Sequence, residues 1–168
     1  ANNTSMGRAS MTANTTGYNN AAFGYVALNG NTSGHSNTGM GYEALNANTT
    51  GIQNSTLGFQ ALRSITTGSH NTAMGHRAGE YVVALTNGTG NTILGAYSRT
   101  TGSGNVYSNV IGYDVAGNSN YTTVGKGNDD IRAAHGNATW STVSDERYKK
   151  DITDATAGLA FVNALQPR

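Results

Sequence analysis

An all-β fold, a parallel β-roll or β-solenoid of about eight 17-residue coils, is predicted by three features of this 168-residue chain. Gly7, Gly24, Gly41, Gly58 and Gly75 recur every 17 residues. Asn3, Asn20, Asn37, Asn54 and Asn71 stand four positions before them, and Met6, Phe23, Met40, Leu57 and Met74 stand directly before them. Fixed-period self-similarity is the signature of stacked repeats. Within each coil the apolar spacing is two residues rather than 3.6, which reads as short strands.

Taken in order, the first five coils carry N-T-S-M-G, N-A-A-F-G, N-T-G-M-G, N-S-T-L-G and N-T-A-M-G, each followed by a second short apolar segment such as Y-E-A-L. A polar stretch then ends in a second glycine at Gly17, Gly34, Gly51 and Gly68. The step from Gly75 to Gly95 is three residues longer and ends in N-T-I-L-G. N-V-I-G follows at Gly112, then a degenerate T-T-V-G at Gly125. The first glycine column marks a backbone corner that needs positive φ or close approach. The asparagine column is expected to form a ladder of amides along the stack, capping each turn. At about 4.8 Å per rung, seven steps make a rod of about 34 Å.

A 17-residue coil is thin. Met40, Ala44 and Leu45, with Tyr42, are the residues expected to point inward. So few apolar side chains per coil favour several copies packed about a common axis, and a closed homotrimer removes exposed edges. The column after the glycine reads Arg8, Tyr25, Tyr42, Phe59, His76, Ala96, Tyr113, Lys126. Tyr25, Tyr42 and Phe59 in register form a ridge. It serves either as a cross-strand or inter-chain seam or as a surface on which sugar rings of a receptor stack.

Composition excludes several classes. Charged residues are 11% and the net charge is +1, so clustered cations for nucleic acid are missing. No apolar run is long enough to span a membrane as a helix. There is no cysteine, hence no disulfide framework or thiolate metal site. His35, His70, His76 and His135 share neither a repeat column nor a short ligand spacing, so neither metal nor cofactor is expected. Glu43, Glu80 and Asp114 are isolated, and Asp129-Asp130 sits in a turn-like G-N-D-D, which disfavours paired-carboxylate glycoside hydrolysis. The sequons at Asn14, Asn31 and Asn48 read as by-products of an Asn- and Thr-rich chain.

Charge also marks a boundary. Residues 1–125 carry seven charges, and the remaining 43 residues carry twelve. The chain therefore divides into a repeat shaft or head over 1–125, connecting strands over 126–144, and a distinct segment over 145–168. In that last segment T-A-G-L-A-F-V-N-A-L reads as a short amphipathic α-helix, with Leu159, Phe161, Val162 and Leu165 on its apolar face and Pro167 stopping it.

Two resemblances sharpen this reading. N-T-I-L-G and N-V-I-G resemble the strands of the left-handed β-roll heads of trimeric adhesins, although the coils here are longer. The run S-D-E-R-Y-K-K-D-I, with Ser144, Asp145, Arg147, Lys149 and Ile152 at the signature positions, resembles the start of the intramolecular chaperone (S74 peptidase) domain of phage tailspikes and tail fibres. This resemblance implies a trimerising chaperone, of which 145–168 is the opening. It also implies one self-cleavage at Ser144–Asp145, with Ser144 as nucleophile and Lys149 as base. Apart from that single event the chain is not expected to be a turnover enzyme.

The expectation is a structural and host-recognition protein, the distal part of a trimeric viral tail fibre in the virion. Its partners would be other tail proteins and a host cell-surface glycan or outer-membrane protein, contacted through the Glu80–Gly90 insertion and the irregular coils after Arg99. A bacterial trimeric surface adhesin is the alternative, and a self-cleaving tailspike or polysaccharide depolymerase the second.

Overall fold

The computed structural model describes residues 2–137 and 139–142. The expected C-terminal helix, and Ser144 and Lys149, lie outside the described residues. Strands β1 (Thr4–Met6), β2 (Ala21–Phe23), β3 (Thr38–Met40), β4 (Ser55–Leu57), β5 (Thr72–Met74) and β6 (Thr92–Leu94) are each three residues long. They are followed by β7 (Arg99–Thr100), β8 (Asn109–Tyr113), β9 (Ala116–Gly117), β10 (Tyr121–Lys126), β11 (Asp129–Ala134) and β12 (Ser141–Thr142). One sheet runs β1-β2-β3-β4-β5-β6-β8-β10-β11-β12, and β7 pairs with β9 in a second. From β1 to β10 every neighbour in the main sheet is parallel. The chain is an all-β parallel solenoid of about seven turns. The parallel stack ends at β10, where β11 and then β12 return antiparallel.

Each coil closes in so few residues because its backbone turns sharply at fixed positions. In the third coil Ser36, Glu43 and Leu45 have φ of 58°, 52° and 53°, and one period later Gln53, Gln60 and Leu62 have 56°, 54° and 45°. Non-glycine residues in this region cost about 1–3 kcal/mol each and persist only where surroundings over-determine them. Here the coil-to-coil backbone bonds do so, for example Leu28 N–H to Ala44 O at 3.0 Å, Gly30 to Asn46 at 2.8 Å and Thr32 to Thr49 at 2.9 Å. Gly41 needs its missing side chain twice over. Its φ is 135°, and a Cβ there would overlap the carbonyl oxygen of Gly58 on the next coil.

The core is one narrow column. Ala27, Ala44, Ala61 and Ala78 fill one row, and Met11, Leu28, Leu45 and Leu62 the next. Opposite them stand the central strand residues Ala22, Thr56, Ala73, Ile93 and Val110. Packing sets their sizes. A Cβ on Gly39 would lie 3.3 Å from Leu28 Cγ, so little room remains across from a leucine. Gly79 takes the leucine position in the fifth coil, and Leu62 and Ile93 fill the space there: Leu62 Cδ2 overlaps the point where a Cβ would stand, and Ile93 Cδ1 lies 3.3 Å from it.

This geometry corrects one expectation. Ala44 and Leu45 are buried, but Met40 points outward and is 40% exposed, and Tyr42 is exposed as well. The whole column before the glycine faces out. Parity explains it: the asparagine is inside, so alternate residues put Ala22 in and Phe23 out. The slot opposite leucine also has no volume for a methionine or phenylalanine.

Candidate functional site

Three polar or aromatic constructions follow from the stacking. The first is the predicted asparagine ladder, held mainly by side-chain-to-backbone bonds. Asn20, Asn37, Asn54, Asn71 and Asn91 each donate their backbone N–H to the Oδ1 of the asparagine one coil earlier, at 2.9–3.0 Å. Each amide nitrogen then closes its own coil: Asn37 Nδ2 donates to Gly51 O at 2.8 Å, and Asn71 Nδ2 to Gly88 O at 2.9 Å. Within this ladder, direct amide-to-amide bonds join Asn37, Asn54, Asn71 and Asn91.

Composition hid a second ladder. Asn31 Nδ2 donates to Asn14 Oδ1 and Asn48 Nδ2 to Asn31 Oδ1, both at 2.8 Å. Asn14, Asn31 and Asn48 also bond the carbonyls of Gly17, Gly34 and Gly51. Asn31 and Asn48 are fully buried, so these sequons are structural amides rather than glycan acceptors. Ile65 and Leu85 continue the row without amides, and Asn48 Oδ1 is left buried with no partner. The 17-residue recurrence of these asparagines, three before the second glycine, is the signal that could have found this ladder.

The third construction is aromatic. Tyr25, Tyr42, Phe59 and His76 stack with centroids 4.9–5.1 Å apart and interplanar angles of 6–14°. Arg8 caps the row, its guanidinium carbon 5.8 Å from the Tyr25 centroid. Both faces of Tyr42 and of Phe59 are thus covered by neighbouring rings, and what they present to solvent is ring edge. The Tyr42 hydroxyl is pushed above its ordinary value, first by the adjacent Glu43 carboxylate.

The row breaks at the sixth coil. Ala96 occupies the ring position, and Tyr97, one residue later with φ of 59°, leans against His76 at 58°. The three extra residues of the previous coil fall between Gly79 and Leu85, whose backbone N–H closes that loop onto Gly79 O at 2.9 Å. The bulge sets Tyr81 edge-on to Tyr97, centroids 4.9 Å apart, and Tyr97 meets Tyr113 at 84° and 5.8 Å. Guanidinium carbons of Arg77 and Arg99 each lie 5.7 Å from the Tyr81 centroid, within cation–π range. Arg99 is also paired with Asp114.

Arg77, Tyr81, Tyr97, Tyr113 and Asp114 line a cleft of about 380 Å³. A second cleft of about 380 Å³ shares Tyr113 and Asp114 and continues to Lys126, Gly127, Asn128 and Asp129. The sequence placed the candidate ridge at Tyr25, Tyr42 and Phe59, which form the closed part of the row. The concave part lies where the repeat is broken; Tyr81, Tyr113 and Asp114 fall in the expected insertion and late coils, whereas Arg77 and Tyr97 lie outside them. Neither protein-family models, nor curated proteins, nor solved structures contain a match to this chain.

Proposed function

We propose that the chain is a structural and host-recognition protein, the distal part of a homotrimeric viral tail fibre that binds a cell-surface glycan or outer-membrane protein. One observation carries the reading. Met6, Met40, Leu57, Met74 and Ile111 form an apolar row along the outer face, exposed by 67%, 40%, 47%, 46% and 39%. A continuous apolar row on a surface with few charges is a site for another protein surface. Its repeat matches the same row on a second copy, so identical coils can pack rung against rung around a closed axis. The S-D-E-R-Y-K-K-D-I run supports the assignment to tail fibres and carries with it one self-cleavage at Ser144–Asp145.

Sedimentation equilibrium tests the assembly, and adhesion of the labelled protein to bacterial cells tests the recognition. The expected result is a trimer that the pair Leu57→Lys and Met74→Lys converts to monomer. A wild-type monomer, or binding to no cell type above an unrelated trimeric control, would overturn the proposal.

A further inference from the structure

We propose that the cleft at the break in the aromatic row binds an acidic sugar, its carboxylate on the Arg77 guanidinium and its ring against Tyr113. The inference rests on the host-recognition reading and names the ligand class for it. Arg77 is the starting point. Of the four arginines in residues 1–125, Arg63 is paired with Glu43 and Arg99 with Asp114. Glu80, the nearest acid in sequence, is engaged with the backbone N–H and hydroxyl of Ser64. Among the described residues no ion pair engages Arg77; its guanidinium carbon lies over the Tyr81 ring, and its Nε is buried with no hydrogen-bond partner. Its two terminal nitrogens form the planar fork that a carboxylate matches with two parallel bonds.

The aromatic geometry points to a sugar. In the stacked row the ring faces cover one another, but Tyr113 has one ring neighbour among the described residues, Tyr97, nearly perpendicular to it. Tyr113 is 53% exposed and lines both clefts, so a face of it remains for the C–H surface of a pyranose. The cleft volume falls within the usual range for small-ligand sites, and the adjoining cleft gives room for a second residue of an oligosaccharide.

Charge selects a carboxylate over a phosphate. Arg99 and Asp114 offset each other, which leaves one uncompensated positive charge in the first cleft. A monoanionic carboxylate matches it. A phosphate, at about −1.5 to −2, exceeds it and faces the Asp114 carboxylate as well.

Saturation-transfer NMR and titration with trigalacturonate, N-acetylneuraminate, galactotriose and galactose 1-phosphate test the inference on the assembled protein. At least one carboxylated sugar should bind about tenfold or more tightly than galactotriose and than galactose 1-phosphate, with transfer from tyrosine ring protons. Arg77→Gln should erase that preference. Gln60 occupies the same register one coil earlier with the same φ of 54°, so the backbone accepts glutamine there. Arg77→Lys should retain only part of it, because the fork is lost. Tyr113→Ala should weaken acidic and neutral sugars alike. Absence of binding by both carboxylated sugars, equal binding of the neutral one, or an unchanged preference in Arg77→Gln would each overturn the assignment. The cell-adhesion assay separates the two readings. Adhesion that survives Arg77→Gln sinks the acidic-sugar cleft and leaves host recognition standing. Sugar binding without adhesion to any cell does the reverse.

Discussion

Replacing Asn71 with alanine removes the one donor to a buried carbonyl and the one acceptor of a buried amide. Its Nδ2 is bonded to Gly88 O at 2.9 Å, and its Oδ1 accepts Asn91 N–H at 3.0 Å. Leu85, in the second-ladder position of that coil, has no amide to replace the lost donor, so both groups are orphaned. At about 1–3 kcal/mol for each unsatisfied buried group, the cost is about 2–6 kcal/mol. Asn37→Ala is the internal control. It orphans Asn54 N–H in the same way, but Gly51 O keeps the Asn48 Nδ2 bond at 3.1 Å. Its cost is one orphaned group plus one net hydrogen bond, about 1.5–4.5 kcal/mol, and it should fall about 0.5–1.5 kcal/mol below that of Asn71→Ala. Urea denaturation of both variants, read as midpoint shifts at constant slope, measures the difference. If Asn37→Ala destabilises as much as Asn71→Ala, the second ladder is not a reserve donor. If either variant loses less than about 1 kcal/mol, the asparagines do not hold the coils closed.

Three other perturbations test separate parts of the fold. Gly41→Ala pushes a methyl group into the Gly58 backbone, and it should cost more than about 3 kcal/mol or abolish folding, as judged by circular dichroism and thermal melting. Val26 is a β-branched residue with φ of 54°; Val26→Asn, better suited to that region, should raise stability by about 1 kcal/mol in the same urea assay, and a loss of that size would refute the strain argument. Burial raises the Asp130 carboxyl above its ordinary 3.8, opposed by the Arg132 guanidinium 3.7 Å away. The folded state therefore keeps this proton to higher pH than the unfolded chain, so the group's contribution is present below 3.8 and lost as pH rises through the folded value. Asp130→Asn should flatten that part of the stability–pH curve, measured by urea melts from acid to neutral pH; an unchanged slope refutes it.

The repeat was legible because stacking writes each coil's needs into fixed columns. Gly41 and its equivalents are forced by the next coil's backbone, and Asn37 and its equivalents by two buried bonds each, so neither column tolerates drift. Tyr25, Tyr42 and Phe59 were readable as a ridge for the same reason. The second asparagine row was not, because Asn14, Asn31 and Asn48 lie in Asn- and Thr-rich text where composition looked sufficient. The turning positions were also silent, since Glu43, Leu45 and Gln60 are not residues that announce positive φ. The cleft at Tyr81, Tyr97 and Tyr113 depends on where a three-residue bulge lands, and no column encodes that.

The sequence alone determined an all-β stack with a 17-residue period, its glycine corners and its amide ladder, because each is a local demand repeated at every turn. The tertiary structure decided which way the apolar columns face. A three-residue strand carries too little alternation to distinguish inside from outside. The narrow space across from Leu28, Leu45 and Leu62 admits alanine or threonine and sends Met40 and Leu57 outward. It also decided that the ring faces left open by the row lie at its break rather than along its length. Stacked rings consume one another's faces, and only an interrupted row leaves one free.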